Sequence, residues 1–195
     1  MTAPQESHGH AVMEPSPWVA RHAHLIAPGT RVLDLACGHG RHASFLVAHG
    51  AKVLAVDRDA AILETIPAAP HLETRALDLE QGEWPLVGER FGAIVVVNYL
   101  HRSLFPHLRM SLADDGVLLY ETFAIGNEAF GPPRNPNFLL RRDELLTVAA
   151  LSPALTVVAF EQGLVMDAGR SAVVQRLAAV GPARAWPVRM GSGQY

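Results

Sequence analysis

Short apolar runs alternate with amphipathic stretches along this chain, and the alternation stays regular from about residue 16 to residue 123. Residues 31–35, 52–56, 72–77, 91–98 and 117–123 read as strands, and helix patterns fall between them at 17–26, 41–49, 59–66 and 103–112. The run Ile94-Val95-Val96-Val97 is continuously apolar and β-branched, as in a strand buried on both faces of a sheet. Ser16-Pro17 has the form of a helix N-cap followed by proline at the first helical position. Pro28-Gly29 closes that helix, Gly50 ends the second, and Asp114-Asp115-Gly116 reads as a turn into the fifth strand. Repetition of strand and helix calls for a parallel sheet with right-handed crossovers, the doubly wound class. Ligands of such sheets bind beyond the carboxyl ends of the strands, where the strand order reverses.

After Phe123 the pattern changes. Residues 124–138 hold three prolines, two glycines and three asparagines; a loop of that length inside a compact domain serves function or moves. A helix is predicted at 142–151, followed by strand-like segments at 155–161 and 172–177, with Asp167-Ala168-Gly169 in the turn of an antiparallel hairpin. The expected fold is α/β: a doubly wound, Rossmann-like sheet of about seven strands, mostly parallel, with a C-terminal antiparallel hairpin. Residues 1–12 read as a flexible leader, 13–180 as one domain and 181–195 as an irregular tail. No internal repeat is present.

Composition removes several function classes. A chain of 195 residues makes one domain with a sizeable core. No apolar run approaches the ~20 residues of a membrane span, and the polar first ten residues lack the form of a signal peptide, so a cytoplasmic protein is expected. One cysteine permits neither an internal disulfide nor a cysteine-based zinc site. A net charge of −3 with scattered arginines gives no footprint for nucleic acid or an anionic membrane. Lys52 is the only lysine and opens a strand, which leaves nothing for Schiff-base chemistry, and no Gly-Lys-Ser or Gly-Lys-Thr is present to cradle a phosphate. The expected partner is a small molecule; the oligomeric state is not legible.

The chemistry concentrates in residues 32–42, Val-Leu-Asp-Leu-Ala-Cys-Gly-His-Gly-Arg-His: a buried strand with an acid near its end, a glycine turn, and a helix start. There, backbone N–H groups can meet an anionic ligand group while glycines permit close approach. Gly38, Gly40 and Ala43 also satisfy the loose dinucleotide fingerprint, with Asp57 near the ~20-residue offset of a ribose-binding acid. Three features argue against a nicotinamide enzyme: Asp34 inside the strand end, where a carboxylate can pair with a ligand ammonium; Asp78 after the third strand; and the closing hairpin. Asp59 reads as a helix cap and Cys37 as a small buried filler. His39 and His42 have metal-ligand spacing but sit at a helix N-terminus with no completing ligand, so no metal is expected. His8, His10, His22 and His24 read as solvent-facing. Asn98-Tyr99-Leu100-His101-Arg102 follows the fourth strand directly. Its His101 and Tyr99 are candidate catalytic groups and Arg102 a candidate anchor for an anionic acceptor, with capping of the next helix the plain alternative.

In these residues the chain resembles the class I S-adenosylmethionine-dependent methyltransferases over about residues 16–180. The signatures are Val32–Gly40, Val56-Asp57-Arg58-Asp59, Leu77-Asp78-Leu79 and 91–100, with Ala36 where the family usually has its first glycine. Tyr120-Glu121-Thr122-Phe123 with Gly126-Asn127-Glu128 is similar to the small bacterial tellurite-resistance and thiopurine-type branch. The resemblance implies S-adenosylmethionine as cofactor and a small-molecule methyl acceptor. Asp34 would hold the cofactor's amino group, Ala36 and Gly38–Gly40 would pass its methionine moiety, and Asp57 would accept both ribose hydroxyls. Arg58 would flank the adenine, Asp78 would accept from its amino group, the Leu79 amide would donate to its ring, and Asn98 would stand beside the sulfonium. Glu121 and the loop residues Phe130, Arg134, Asn135 and Phe138 are candidate acceptor contacts, and Trp18 a candidate cover. No Asn-Pro-Pro-Tyr or Asp-Pro-Pro-Tyr element follows the fourth strand to hold a flipped base. An NAD(P)-dependent oxidoreductase and a non-catalytic S-adenosylmethionine-binding protein are the competing readings.

Overall fold

The structure, a computed structural model, describes residues 14–167 and 169–189. The expected leader, His8, His10 and Ala168 of the hairpin turn lie outside the described residues.

Seven strands form one sheet in the order β3-β2-β1-β4-β5-β7-β6. The strands are β1 (Arg31–Leu35), β2 (Lys52–Asp57), β3 (Leu72–Ala76), β4 (Phe91–Val97), β5 (Leu112–Phe123), β6 (Thr156–Asp167) and β7 (Arg170–Val180). The first five pair in parallel, and β7 runs antiparallel to both β5 and β6. The order reverses between β1 and β4, so the crevice of this fold opens at their carboxyl ends, beside the glycine turn.

Helices α1 (Pro17–His22), α2 (Arg41–Ala48), α3 (Ala60–Glu64), α4 (Phe105–Ser111) and α5 (Glu144–Ala149) cover the sheet. Alternation along each central strand feeds two apolar cores. Leu33, Leu35, Ile94 and Val96 face one side with Leu100, Leu104 and Leu145. Val32, Val53, Val95 and Leu119 face the other with Trp18, Ala43 and Leu46. Ser16 caps α1 as its sequence predicts, accepting the Trp18 N–H at 3.1 Å, and Asp59 caps α3 by accepting from Ala61 and Ile62.

Three expectations change. His22 is buried, 4.1 Å from the Trp18 ring, and burial holds its pKa below the usual value; helix α1 turns that side chain onto the core. Strand β5 begins at Leu112 with an irregularity that swallows the predicted turn: Phe91 pairs with Leu112, but Ala93 pairs with Val117. Strands β6 and β7 are longer than their apolar patterns, and their far end, Leu164–Asp167 against Arg170–Val173, reaches past the end of β5, whose Phe123 pairs with Val174. Residues 181–189 are irregular but tied down, with Arg184 donating to the Leu25 carbonyl at 2.7 Å.

Candidate functional site

The carboxyl ends of all five parallel strands open onto one cavity of about 450 Å³. Ala36 follows β1, Asp57 and Arg58 end β2, Leu77–Glu80 follow β3, Asn98–Leu100 follow β4, and Thr122 and Phe123 end β5. Pro133 and Phe138 of the 124–140 loop close the β5 side.

The glycine turn and Asp57 form one unit. The Gly38 N–H donates to Asp57 Oδ2 at 2.9 Å and the Asp59 N–H to Oδ1 at 3.1 Å. Each oxygen thereby holds one backbone donor and retains acceptor capacity. Gly38 and Gly40 both have positive φ, and a Cβ on Gly40 would lie 2.7 Å from Ile66 Cδ1, so a side chain there would be strained and would have to displace Ile66. Ala36 and Asn98, at the ends of neighbouring strands, also take positive φ, 55° and 58°. Asp78 accepts the Glu80 N–H on Oδ1 at 2.8 Å.

Asp34 does not line the cavity. It is 1% exposed, beneath the turn, because β1 directs it to the α2 side of the sheet. Its carboxyl lies within reach of the Ala43 N–H, Oδ2 has no partner among the described residues, and burial lifts its pKa to about 7. His42, buried nearby, accepts the Ser16 N–H at 3.2 Å, and burial lowers its pKa to about 3. Burial likewise pushes the Cys37 thiol up, which fits a filler rather than a nucleophile.

Several acceptor-side candidates have structural duties instead. Arg102 is not a free anion anchor. Its Nε and Nη2 donate to the two Glu144 oxygens at 2.6 and 2.9 Å, and Nη1 and Nη2 donate to the Asn137 and Leu139 carbonyls at 2.8 Å each. Glu121 points away from the cavity, where it binds the Arg176 guanidinium at 2.8 Å and the Ser16 hydroxyl, so it fastens α1 to the sheet. Trp18 is buried in the core and donates its indole N–H to the Leu177 carbonyl at 3.2 Å, so it is no cover for the cavity. Asn135 caps a short 3-10 turn through the Asn137 N–H. Phe130 and Arg134 lie off the cavity wall, as does His101, which leads a 3-10 turn. Tyr99 does line the cavity, but its hydroxyl donates to Glu80 at 3.2 Å, and burial and the Glu80 charge push its pKa up, so it is held as a donor.

The wall residues to which the sequence assigned no role of their own are Leu77, Glu80, Leu100, Thr122, Phe123 and Pro133. Thr122, with Phe123, follows from the rule that found Asp57 and Asp78, applied to the fifth strand end. Among the described residues no group of three or more His, Cys, Asp or Glu side chains is placed to hold a metal, and no helix is long and apolar enough to cross a membrane.

A family profile described as a methyltransferase domain matches residues 32–115. Among curated proteins, none matches the chain by sequence. Solved structures share the fold. TehB from Haemophilus influenzae superposes with a TM-score of 0.66 at 18% identity, over 84% of this chain and 61% of that protein, so the chain spans less than two thirds of it. The N-methyltransferase NodS from Bradyrhizobium japonicum, in complex with S-adenosyl-L-homocysteine, gives 0.60 at 20% identity over 84% of this chain and 88% of its own. A 1,6-didemethyltoxoflavin-N1-methyltransferase from Burkholderia thailandensis, with that compound and S-adenosylhomocysteine bound, gives 0.61 at 20% identity over 89% and 79%.

Proposed function

We propose that this chain, a class I S-adenosylmethionine-dependent methyltransferase, delivers the methyl group to a small-molecule acceptor. The observation that carries the reading is the division of the cavity. Its β1–β3 half presents backbone groups and carboxylates suited to a polar nucleoside, while its β4–β5 half is an enclosure of Leu100, Thr122, Phe123, Pro133 and Phe138.

The residues present fit the cofactor. Asp57, with one backbone donor already on each oxygen, retains the lone pairs to accept two ribose hydroxyls. Arg58 would flank the adenine, Asp78 would accept from its amino group, and the Leu79 N–H would donate to the ring. Asp34 Oδ2, buried without a partner, has the chemistry to receive the amino group directly or through a water. Ala36, Gly38 and Gly40 would pass the methionine moiety, and Asn98 would stand beside the sulfur.

When bound, this cofactor supplies a methyl group whose bond to sulfonium breaks, its electrons going to sulfur, as an acceptor lone pair forms the new bond. The chain's part is to hold the acceptor in line and to exclude water, effects worth up to ~7–11 kcal/mol for well-aligned partners. His101 stands off the wall and Tyr99 is held as a donor to Glu80, so neither serves as a base on the acceptor in this arrangement. That a similar fold binds 1,6-didemethyltoxoflavin in the N1-methyltransferase from Burkholderia thailandensis supports a small acceptor here.

Calorimetric titration with S-adenosylhomocysteine and with NADP, followed by methyl-label transfer from S-adenosylmethionine to a panel of thiols, amines and phenols, tests the reading. Binding of S-adenosylhomocysteine alone and labelling of a panel member are expected. Binding of NADP in its place, or tight cofactor binding with label reaching only macromolecules, overturns it.

A further inference from the structure

The charge on the cavity wall is uneven. Asp57, Asp78 and Glu80 face it with Arg58 as the sole cationic lining residue, and all four belong to the β2–β3 side. The β4–β5 side carries no ionisable side chain except Tyr99, whose hydroxyl is engaged by Glu80. Its wall is Leu100, Phe123, Pro133 and Phe138, with Thr122 and Asn98 as neutral polar groups. Phe138 stays 53% exposed at the rim, an aromatic face that no other part of the described chain covers.

Arg102 is the nearby cation that sequence offers for an anionic acceptor, and the fold spends it. Its guanidinium donates to both Glu144 oxygens, which neutralise it, and to the Asn137 and Leu139 carbonyls on either side of Phe138. Glu144 in turn accepts the Arg141 N–H at 2.7 Å. The planar fork of arginine is what allows one side chain to bind a carboxylate twice and two carbonyls besides; a lysine ammonium cannot reproduce that geometry. The carbonyls of 137 and 139 are thereby pinned to the turn after β4, which fixes where the Phe138 ring stands.

We infer that the acceptor is an uncharged apolar molecule seated against Phe123 and Phe138, and that Arg102 is a positioning residue for that wall rather than a contact for an anion. An anionic acceptor would enter beside three carboxylates with no cationic side chain on its own side of the cavity to offset the repulsion. This inference rests on the cofactor reading above.

The test uses the whole chain saturated with S-adenosylhomocysteine at pH 8, with quinoline as the neutral probe, quinoline-2-carboxylate as its anionic analogue and selenite as an oxyanion, followed by ligand-observed NMR titration. Quinoline is expected to bind at least tenfold more tightly than either anion. Phe138→Ala, at an exposed site that leaves folding intact, is expected to weaken quinoline about tenfold and S-adenosylhomocysteine less than twofold. Arg102→Lys, which keeps the charge but loses the fork, is expected to weaken quinoline several-fold with the same indifference of S-adenosylhomocysteine. Equal or tighter binding of an anion, quinoline binding that ignores both substitutions, or no quinoline binding overturns the proposal. Failure of S-adenosylhomocysteine to bind the unsubstituted protein overturns the cofactor reading instead.

Discussion

Ala36 and Asn98 share one backbone conformation at the ends of adjacent strands, at different cost. Asparagine tolerates positive φ well, whereas the alanine Cβ crowds the following carbonyl. Ala36→Gly should therefore raise stability by about 0.5–1 kcal/mol, the relief being partly offset by the added freedom of glycine when unfolded; urea unfolding measures it. Asp57→Ala should lower S-adenosylhomocysteine affinity tenfold or more, because it removes the proposed ribose acceptor and frees the Gly38 N–H that orients the turn. Calorimetry at matched thermal stability checks this. Asp57 and Asn98 were legible because each ends an apolar run, Asp78 because it follows the third predicted strand, and a parallel sheet gathers such ends at one crevice. Glu121 and Arg102 were not. Their partners, Arg176 and Glu144, lie 55 and 42 residues away, and no local pattern announces them.

The element that shapes the acceptor side is the 124–140 segment, expected as a long loop over 124–138 and found as two 3-10 turns with a bridge between Ala124 and Leu140. Asn127 draws it inward, buried with its Oδ1 accepting the Val173 N–H at 3.1 Å. Arg102 fastens its other end. Removing that clamp by Arg102→Gln should cost about 1–2 kcal/mol, since the guanidinium is partly exposed, and should speed hydrogen exchange at Leu139 and Leu140 ahead of the central strands. Uniform acceleration across the sheet would show a general loss of stability instead. The central strands β1, β2 and β4 could be read nearly residue by residue because burial on both faces leaves continuous apolar runs, as in 94–97. The hairpin strands could not: exposed positions such as Leu164 and Met166 break the alternation, and cross-strand pairing rather than burial sets their length.

At the scale of the molecule, two buried groups tie stability to pH with opposite signs. From about pH 4 to 6.5 the folded protein holds a proton on Asp34 that the unfolded chain has lost, and lacks one on His42 that the unfolded chain has gained. The two nearly cancel, so stability should change only shallowly there, with His22 adding to the His42 side. Asp34→Asn removes one partner: unfolding free energy should then rise with pH across this window, by up to about 1.4 kcal/mol per pH unit for each uncompensated proton. Urea midpoints at pH 4.5, 5.5 and 6.5 would reveal that slope, and a profile in the variant with the same slope as that of the unsubstituted protein would remove Asp34 from the balance. The overhanging half of the hairpin has a different kind of consequence. Val165-Met166 on one strand and Ser171-Ala172 on the other pair only with each other. Deleting or adding two residues on each strand there preserves which side chains face which way, whereas a single deletion inverts every position beyond it. The overhanging half of the hairpin can therefore lengthen or shorten by two residues on each strand, without the sheet that carries the chemistry having to change.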